Sequence, residues 1–509
     1  MRARAVPSGL RPALWTLVVA VLAGPALAAD EIHWTMISPT AVTFDWRGSG
    51  RTLRYGLTTS YGSTATGQAP SILPFSSAGP FWEAALTGLQ AGKTYHYSLD
   101  GGPDHTFHPL PGPGSSFTVF VEADMGSSSY PTMAPVQSLI AGGAPAFVLG
   151  IGDLSYADDH GLAAVDQHFN DVMTWSQDAA YMPIWGNHDW SDVDTTDNLR
   201  NYKGRFALPN PQTSPGSPAV SCCGEDWYWF DAGNVRFIAY PEPFTGAWTA
   251  WKTAAATLMD QAQSSSSIRF IVTFGHRPAY SSGYHSGDSG LRAILDTLGV
   301  HHSKYVLNLN GHSHDYERTT PQRGVTHVTV GIGGSTLETA SGTCAWSGGC
   351  PAPAWCAYRA FHHGALRLVF DAASIRGDVL CGPAATKDDI ACSNGSVFDS
   401  FTITGQGVAD APPDPPSGAP GLALGGIRPD PVEEDAPFTL DYSLEDASTA
   451  RLDLLDLAGR TVQRIELMRT RPGRRETLVA SPQGLRPGIY WLRLRQSGRE
   501  VRKSVVLLP

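Results

Sequence analysis

After its first 28 residues, the chain lacks any run of about 18 consecutive apolar residues. The sequence therefore predicts no membrane-spanning helix. It also lacks a basic excess, since 36 Lys and Arg residues stand against 47 Asp and Glu residues, for a formal net charge of -11. This balance argues against nucleic acid as a general partner, because phosphate backbones bind positive surfaces. A small phosphorylated ligand remains compatible with an acidic chain, because a bound metal ion can supply the positive charge.

The N-terminal segment has the three parts of a secretory signal peptide. Arg2, Arg4 and Arg11 form a basic start, and an apolar run follows that ends in Ala26-Leu27-Ala28. We expect cleavage after Ala28 and a secreted protein, located outside the cell, on its surface or in the periplasm. The alternative interpretation is a single membrane anchor.

Cysteines are also few. In a secreted protein they predict disulfide bonds, and their odd number leaves at least one thiol unpaired. The spacing does not reveal the pairing of the seven: Cys222, Cys223, Cys344, Cys350, Cys356, Cys381 and Cys392.

Composition and hydrophobic pattern divide the rest of the chain into four parts. Residues 29–112 hold short β-type runs separated by Gly, Ser and Pro clusters, which predict a β domain. In residues 113–407, apolar strands alternate with helical stretches, which indicates a layered α/β fold. Residues 408–425 are a Pro/Gly-rich linker. Residues 426–509 carry 13 Arg and one Lys against 12 acids and predict a small β-sandwich.

Polar motifs follow five successive strands of the predicted α/β domain. In such sheets, ligands bind at the carboxyl ends of the strands, so we expect these side chains to meet there. Glycines beside most of them allow tight turns and close approach of the backbone. The side chains are Asp124, Asp153 and Tyr156, Asn187 with His188 and Asp189, His276, and His312 with His314.

The donor types indicate a metal centre without thiolate. Carboxylate, amide oxygen and imidazole suit iron, zinc or manganese. These donors are too numerous for one catalytic metal ion, because such an ion must also keep some of its coordination positions open. Two ions that share a bridging carboxylate fit better, and paired ions of this kind catalyse phosphoryl displacement.

The motifs "VEADMG", "GDLSYAD", "GNHD", "GHRP" and "GHSHDYERT" resemble those of the calcineurin-like metallophosphoesterase superfamily and, within it, the purple acid phosphatases. Many members of the superfamily begin with Asp-x-His, whereas this chain has Gly126 in place of the imidazole. Tyr156 supplies a phenol instead, as in the purple acid phosphatases. The resemblance implies a four-layer α/β/β/α sandwich with an N-terminal fibronectin type III-like β-sandwich in front of it. It also implies an acid phosphatase that hydrolyses phosphate monoesters with a metal-activated hydroxide.

The same resemblance implies a role for each motif residue. It implies a dinuclear centre of Fe(III) and a divalent ion (Fe, Zn or Mn) bridged by Asp153. The Fe(III) ligands would be Asp124, Tyr156 and His314, and the divalent ligands Asn187, His276 and His312. His188 and His285 would bind substrate or protonate the leaving group, with Asp189 orienting His188. A second histidine often follows the one at 285 in the family, but this chain has Ser286.

The C-terminal part resembles sorting and immunoglobulin-like modules of type IX secretion cargo. This resemblance implies contact with secretion machinery or surface attachment; an ordinary accessory β-sandwich is the alternative. Two other functions remain open for the metal centre. One is a phosphodiesterase or nucleotidase on the same site, which product analysis with monoesters and diesters would separate. The other is a cell-surface binding protein without catalysis.

Overall fold

A computed structural model gives the fold of the chain. It describes residues 29–190, 199–218 and 224–404, and in the C-terminal part 408–410, 422–428, 432–433, 437–446, 448–456, 459–467, 473–479 and 487–508. The expected signal peptide, Cys222 and Cys223 lie outside the described residues.

Seven strands form two small antiparallel sheets in the N-terminal part, β1-β2-β5 and β4-β3-β6-β7. The β domain expected over residues 29–112 is therefore present as strands. Their bounds are β1 Asp30–Ser38, β2 Ala41–Arg47, β3 Thr52–Gly56, β4 Ser63–Thr66, β5 Phe81–Leu86, β6 Tyr95–Leu99 and β7 His105–Phe107.

The central part is α/β. Its strands are β8 Phe117–Glu122, β9 Phe147–Ile151, β10 Ala180–Ile184, β11 Trp229–Ala232, β12 Val235–Ala239, β13 Phe270–Phe274, β14 Tyr305–Asn310, β15 Tyr316–Thr319, β16 Thr326–Val330, β17 Cys356–Ala360, β18 Gly364–Phe370, β19 Ser374–Cys381, β20 Val397–Thr404 and β21 Val408–Asp410. Its helices are α1 Met133–Gly142, α2 Ala157–His160, α3 Ala163–Ser176, α4 Asn187–Trp190, α5 Arg200–Lys203, α6 Ala247–Ser264 and α7 Ser289–His301.

These strands make two seven-stranded mixed sheets, ordered β10-β9-β8-β18-β19-β20-β21 and β11-β12-β13-β14-β16-β15-β17. Phe147 of the first sheet meets Phe237 of the second with ring centroids 5.6 Å apart, and Phe237 also meets Phe370 at 5.5 Å. The two sheets therefore pack face to face. Helices α1 and α3 lie against the first sheet and the N-terminal strands, whereas α6 and α7 lie beside the second.

The N-terminal sheets and the α/β part share one hydrophobic core. Charged groups cross the same boundary: Arg205 Nε lies 2.8 Å from Glu31 Oε2, and both side chains are almost fully buried. Arg47 meets Glu31 at 3.0 Å, and Asp166 accepts hydrogen bonds from Arg205 and Ser76. The N-terminal part is thereby fixed against α3 and against the residues that follow α5.

The C-terminal strands have a hydrophobic core of their own. They are β22 Ala423–Arg428, β23 Val432–Glu433, β24 Phe438–Leu444, β25 Ala450–Leu455, β26 Thr461–Leu467, β27 Gly473–Val479, β28 Gly488–Gln496 and β29 Arg499–Leu508. They form two sheets, β22-β24-β27 and β23-β29-β28-β25-β26, as a small β-sandwich requires.

The expected linker, residues 408–425, is too long at both ends. β21 pairs with β20 and so extends the first large sheet, and β22 begins at Ala423. Amino-acid composition gave the wrong linker limits, because the Pro and Gly residues between these two strands dominate residues 408–425.

Two disulfides close loops of the α/β part, Cys344–Cys350 and Cys381–Cys392, and Cys356 is a free thiol. Disulfides of this kind fit an oxidising, extracytoplasmic compartment. Across the described ranges, none of the helices combines the length and the apolar composition needed to span a bilayer.

We expect Arg205→Met to lower the free energy of unfolding by about 3 kcal/mol, because it leaves buried Glu31 with an incomplete set of partners. Calorimetry would measure this as a lower Tm. Arg499→Met is the matched control, since Arg499 and its ion-pair partner Glu445 are 65% and 35% exposed. Loss of an exposed pair costs less than about 1 kcal/mol. Equal effects of the two substitutions would contradict the role of the buried pair.

Candidate metal centre

The site forms where strands of the two large sheets end. The parallel strands β8, β9 and β10 lead to Asp124, to Asp153 with Tyr156, and to Asn187 at the start of α4. In the second sheet, the parallel strands β13 and β14 lead to His276 and to His312 with His314. The side chains of six of these residues meet where both sheets end: Asp124, Asp153, Tyr156, His276, His312 and His314.

Local backbone strain is concentrated in the same place. Asp124, Asp153, Tyr156 and His312 all have left-handed backbone conformations, with φ between 53° and 68°. Such a conformation costs a non-glycine residue roughly 1–3 kcal/mol and persists only where the surroundings enforce it. The fold therefore stores strain to aim these side chains.

Two buried groups of side chains share one carboxylate. Asp153, His276 and His312 form the first group, and Asp124, Asp153 and His314 form the second. Within each group the candidate ligand atoms lie within 4.8 Å of one another. Asp153 belongs to both, which is the arrangement of a carboxylate that bridges two ions.

The contacts within these groups are those of ligands that face a common point. His276 Nε2 lies 3.0 Å from Asp153 Oδ2, yet the pair does not have hydrogen-bond geometry. His276 Nδ1 donates to the carbonyl of Ile151 at 3.0 Å, which leaves the lone pair on Nε2 for a metal. On the other side, His314 Nε2 lies 3.3 Å from Asp124 Oδ1. The residues present therefore fit a pair of metal ions.

Electrostatics supports the same conclusion. Burial lowers the pKa of His276 and of His314, but the carboxylates of Asp153 and Asp124 outweigh it and raise these values to about 10 and about 9. Burial would raise the pKa of Asp153, but the charges of His276 and His188 hold it well below its usual range. The two carboxylates thus favour protonated imidazoles, at positions where a metal cation would otherwise balance their negative charge.

His312 behaves differently from the other two imidazoles. Burial and the positive charges of His276 and Arg277 hold its pKa far below the usual range. A neutral imidazole is the form that coordinates a metal. Arg277 Nη1 lies 2.6 Å from His312 Nε2, and Arg277 in turn pairs with buried Glu242 at 3.1 Å. Sequence reasoning missed both residues, although Arg277 directly follows His276.

Tyr156 lies at the Asp124 side of the centre. Its hydroxyl is 2.9 Å from His314 Nε2 and 3.3 Å from Asp124 Oδ1. Burial, together with the charges of Asp124 and Asp153, raises the pKa of Tyr156 well above its usual range. A phenolate at this position therefore requires a cation beside it.

Tyr130 packs against Gly126, the residue that stands in place of the histidine of the Asp-x-His motif. Gly126 has a φ of 81°, and a Cβ there would overlap the Tyr130 ring. That ring packs edge-on against Tyr156 with centroids 5.7 Å apart. An aromatic side chain thus occupies the space beside Gly126 and supports the phenol.

The structure corrects the expected partner of His188. Asp189 does not orient it, because its carboxylate accepts the backbone N–H groups of Gly186, Asp153 and Leu154. Asp158 lies 2.7 Å from His188 Nδ1 instead. Asp189 therefore shapes the turns that carry the candidate ligands, because its carboxyl oxygens hold three turn amides.

His285 also reaches the site. Its ring stacks on His312 with centroids 4.2 Å apart, and its Nε2 lies 3.0 Å from Glu338 Oε2. Glu338 comes from the loop after β16, about fifty residues away in sequence, and no local motif marked it. Asp158, by contrast, could have been found in "GDLSYADD", two residues after Tyr156.

Comparison with known proteins agrees with this geometry. Residues 117–316 match the family model described as calcineurin-like phosphoesterase. They form a calcineurin-like metallophosphoesterase domain. The matched stretch contains all seven candidate metal ligands, and the family implies a dinuclear metal site.

Curated relatives of this domain are distant. A protein of Mycobacterium tuberculosis that is called uncharacterized is 28% identical over 207 residues, which is 36% of this chain and 36% of the relative. Acid phosphatase type 7 of Danio rerio is 23% identical over 39% of this chain and 47% of its own length. A probable inactive purple acid phosphatase of Arabidopsis thaliana is 25% identical over 50% of this chain and 43% of its own length. The chain thus matches less than half the length of these relatives.

Two solved structures share the fold. A purple acid phosphatase from yellow lupin (Lupinus luteus) seeds has a TM-score of 0.57 at 19% identity and covers 74% of both chains. The structure of PhoD has a TM-score of 0.51 at 11% identity, covering 76% of this chain and 92% of its own. At these identities the likeness concerns the fold alone.

We expect Gly186→Ala to remove bound metal, because a Cβ at this position would overlap the carboxylate of Asp153. Elemental analysis should give less than half of the wild-type metal content per chain. Gly142→Ala is the control: a Cβ there, at the end of α1, meets nothing within 4 Å. Full metal content in both variants would show that Asp153 does not hold the ions.

Proposed function

We propose that the protein is a dinuclear metal-dependent phosphomonoesterase of the purple acid phosphatase type. The observation that carries this proposal is the pair of buried Asp/His groups that share Asp153, with the Tyr156 hydroxyl between Asp124 and His314. A phenol in this position is the feature that separates the proposed type from other metallophosphoesterases.

Each side chain then has a role in the centre. Asp124, Tyr156 and His314 would hold Fe(III), whereas Asn187, His276 and His312 would hold the divalent ion. When bound, the ions supply the positive charge that orients the phosphate and activates the attacking water. His276 is fixed through Ile151 and His314 through the carbonyl of Thr336, so both rings are oriented before substrate arrives.

His188 is the proposed proton donor to the leaving oxygen. Its side chain is partly exposed, and its ring contacts that of Tyr156 at a tilt of 36°, with ring centroids 4.5 Å apart. Burial lowers the pKa of His188, but Asp158 and Asp153 outweigh it and raise the value to about 9. These carboxylates therefore favour the protonated imidazole, which is the form that a general acid needs.

The flanking parts fit a secreted enzyme. The disulfides and the expected signal peptide favour an extracellular, surface or periplasmic location. We propose that residues 426–509 serve export or surface attachment, since their core is separate from that of the domain with the metal centre. We also propose that the N-terminal sheets form a fibronectin type III-like domain.

A non-catalytic surface protein is the alternative of a different class. The similarity to a protein named as a probable inactive purple acid phosphatase favours it. The complete donor set in this chain argues against it, because a decayed site tends to lose ligands. Turnover by protein that contains both metals distinguishes the two.

A visible absorption spectrum tests the type of centre. We expect a tyrosinate-to-Fe(III) band, with about two metals per chain by elemental analysis, and we expect Tyr156→Phe to abolish the band. Tyr130→Phe is the control, since this ring touches Tyr156 but is not a proposed ligand. Two metals without the band would reassign the site to a metallophosphoesterase of another type.

His188→Ala should lower kcat by about 10²-fold or more on alkyl phosphates, where the leaving alkoxide needs a proton. The loss should be smaller on 4-nitrophenyl phosphate, whose leaving group departs without protonation. Kinetics with both substrates, on protein of unchanged metal content, measures the difference. Equal losses on both would mean that His188 does not protonate the leaving oxygen.

A further inference from the structure

Exposed aromatic side chains lie beside the metal centre. Among the described residues, six large hydrophobic side chains are exposed, and two of them, Trp190 and Tyr284, lie close to candidate ligands. Trp190 ends the short helix that begins with Asn187, and Tyr284 precedes His285. Single exposed hydrophobic residues are normal on a protein surface, but an exposed aromatic ring beside a polar site can contact a ligand bound there.

Tyr284 connects to the centre through one side chain. It is 52% exposed, and its ring lies 5.2 Å from the His285 ring, perpendicular to it. The His285 ring stacks on His312 at 4.2 Å. A group attached to a phosphate at the metals would thus pass His285 before it meets Tyr284.

The loop that carries Tyr284 is firmly anchored. Glu317 accepts both the backbone N–H and the hydroxyl of Ser282, each at 2.6 Å. Gly283 is packed so closely on Asp315 and Ser313 that a Cβ would overlap them. Arg359 also donates to the Ser282 hydroxyl at 2.8 Å. Tyr284 is therefore held out into solvent by a rigid base, which lowers the entropic cost of binding against its ring.

Charge restricts what can bind there. Glu338 pairs with His285 at 3.0 Å, so a carboxylate lies next to the path between the metals and Tyr284. It would oppose a second phosphate or a carboxylate in the leaving group. An uncharged planar ring meets no such opposition and can stack on an aromatic face.

We infer that Tyr284 is a stacking platform for the planar aromatic part of the substrate, either a nucleobase or a small aryl group. This inference rests on the proposed function and names the substrate class of the same site. The preferred substrates are therefore phosphate monoesters of nucleosides or of aromatic alcohols.

Matched substrates test the platform. AMP and ribose 5-phosphate share the same scissile ester and differ in the base. Benzyl phosphate and cyclohexylmethyl phosphate differ in the flatness of the ring. We expect the wild-type protein to show about tenfold higher kcat/KM for the aromatic member of at least one pair, because a stacked base contributes roughly this factor or more. The pair that shows the preference identifies the source of the ring.

In the full-length Tyr284→Ala variant, the ratio of kcat/KM between the aromatic and the non-aromatic substrate should fall to about one, because the ring that supplies stacking is lost. Tyr284→Phe should keep it, since the ring remains. Leu57→Ala, which removes an exposed apolar side chain from the N-terminal part, should keep it as well. A ratio near one in the wild-type protein for both pairs, or an unchanged ratio in Tyr284→Ala, would overturn the inference.

Calorimetric binding of the same four compounds to metal-loaded protein separates this inference from the proposed function. Absence of turnover would refute the phosphomonoesterase proposal. A preference for the aromatic member in binding that Tyr284→Ala removes would still support the platform. Equal dissociation constants within both pairs would refute the platform even if turnover is observed.

Discussion

Two buried carboxylates, Asp124 and Asp153, need positive charge beside them, because an unpaired charge in a protein interior is strongly destabilising. Elsewhere this chain meets the same need with permanent cations: Lys203 lies 2.6 Å from Asp226, and Arg318 lies 2.7 Å from Asp399. At the metal centre, the groups that face the carboxylates are His276 and His314. An imidazole can give up its proton to a metal ion and bind that ion through the freed nitrogen, which a guanidinium cannot do. At the site, a metal ion can therefore replace the proton as the source of positive charge, whereas the positive charge of Lys203 and Arg318 elsewhere in the chain is permanent.

The framework has to be rigid for this exchange to keep its geometry. Four residues of the site have left-handed backbone conformations. Asp189 fixes the turns after β9 and β10 by accepting three backbone N–H groups. Glycine at 186 lets the chain pass directly against the Asp153 carboxylate. Strained turns are tolerated here because the two large sheets behind them share one extensive core. Stability of the sheets thus maintains the positions of the ligands.

Much of this arrangement could be predicted from the sequence, because the chemistry is local in the chain. Each candidate ligand lies within five residues of the end of an apolar strand, so strand ends and donor types together predicted the candidate site. The partners of the histidines were harder to find. Asp189 is adjacent to His188 in sequence, yet the carboxylate on His188 is that of Asp158, because Asp189 is turned towards backbone amides. Glu338 and Glu242 reach the site from distant loops, and only tertiary packing brings them there. The limits of the linker were missed because composition does not record strand pairing.

Beyond the candidate ligands, three basic side chains around the centre have acidic partners. Asp158 pairs with His188, Glu338 with His285, and Glu242 with Arg277. In a chain with an overall charge of -11, these pairs balance positive charge next to the site. Attraction of a phosphate group then depends on the metal ions themselves, and neutral parts of a substrate must be recognised by other means. Exposed aromatic rings provide such recognition without charge, which is the reason that the surface next to His285 matters for the choice of substrate.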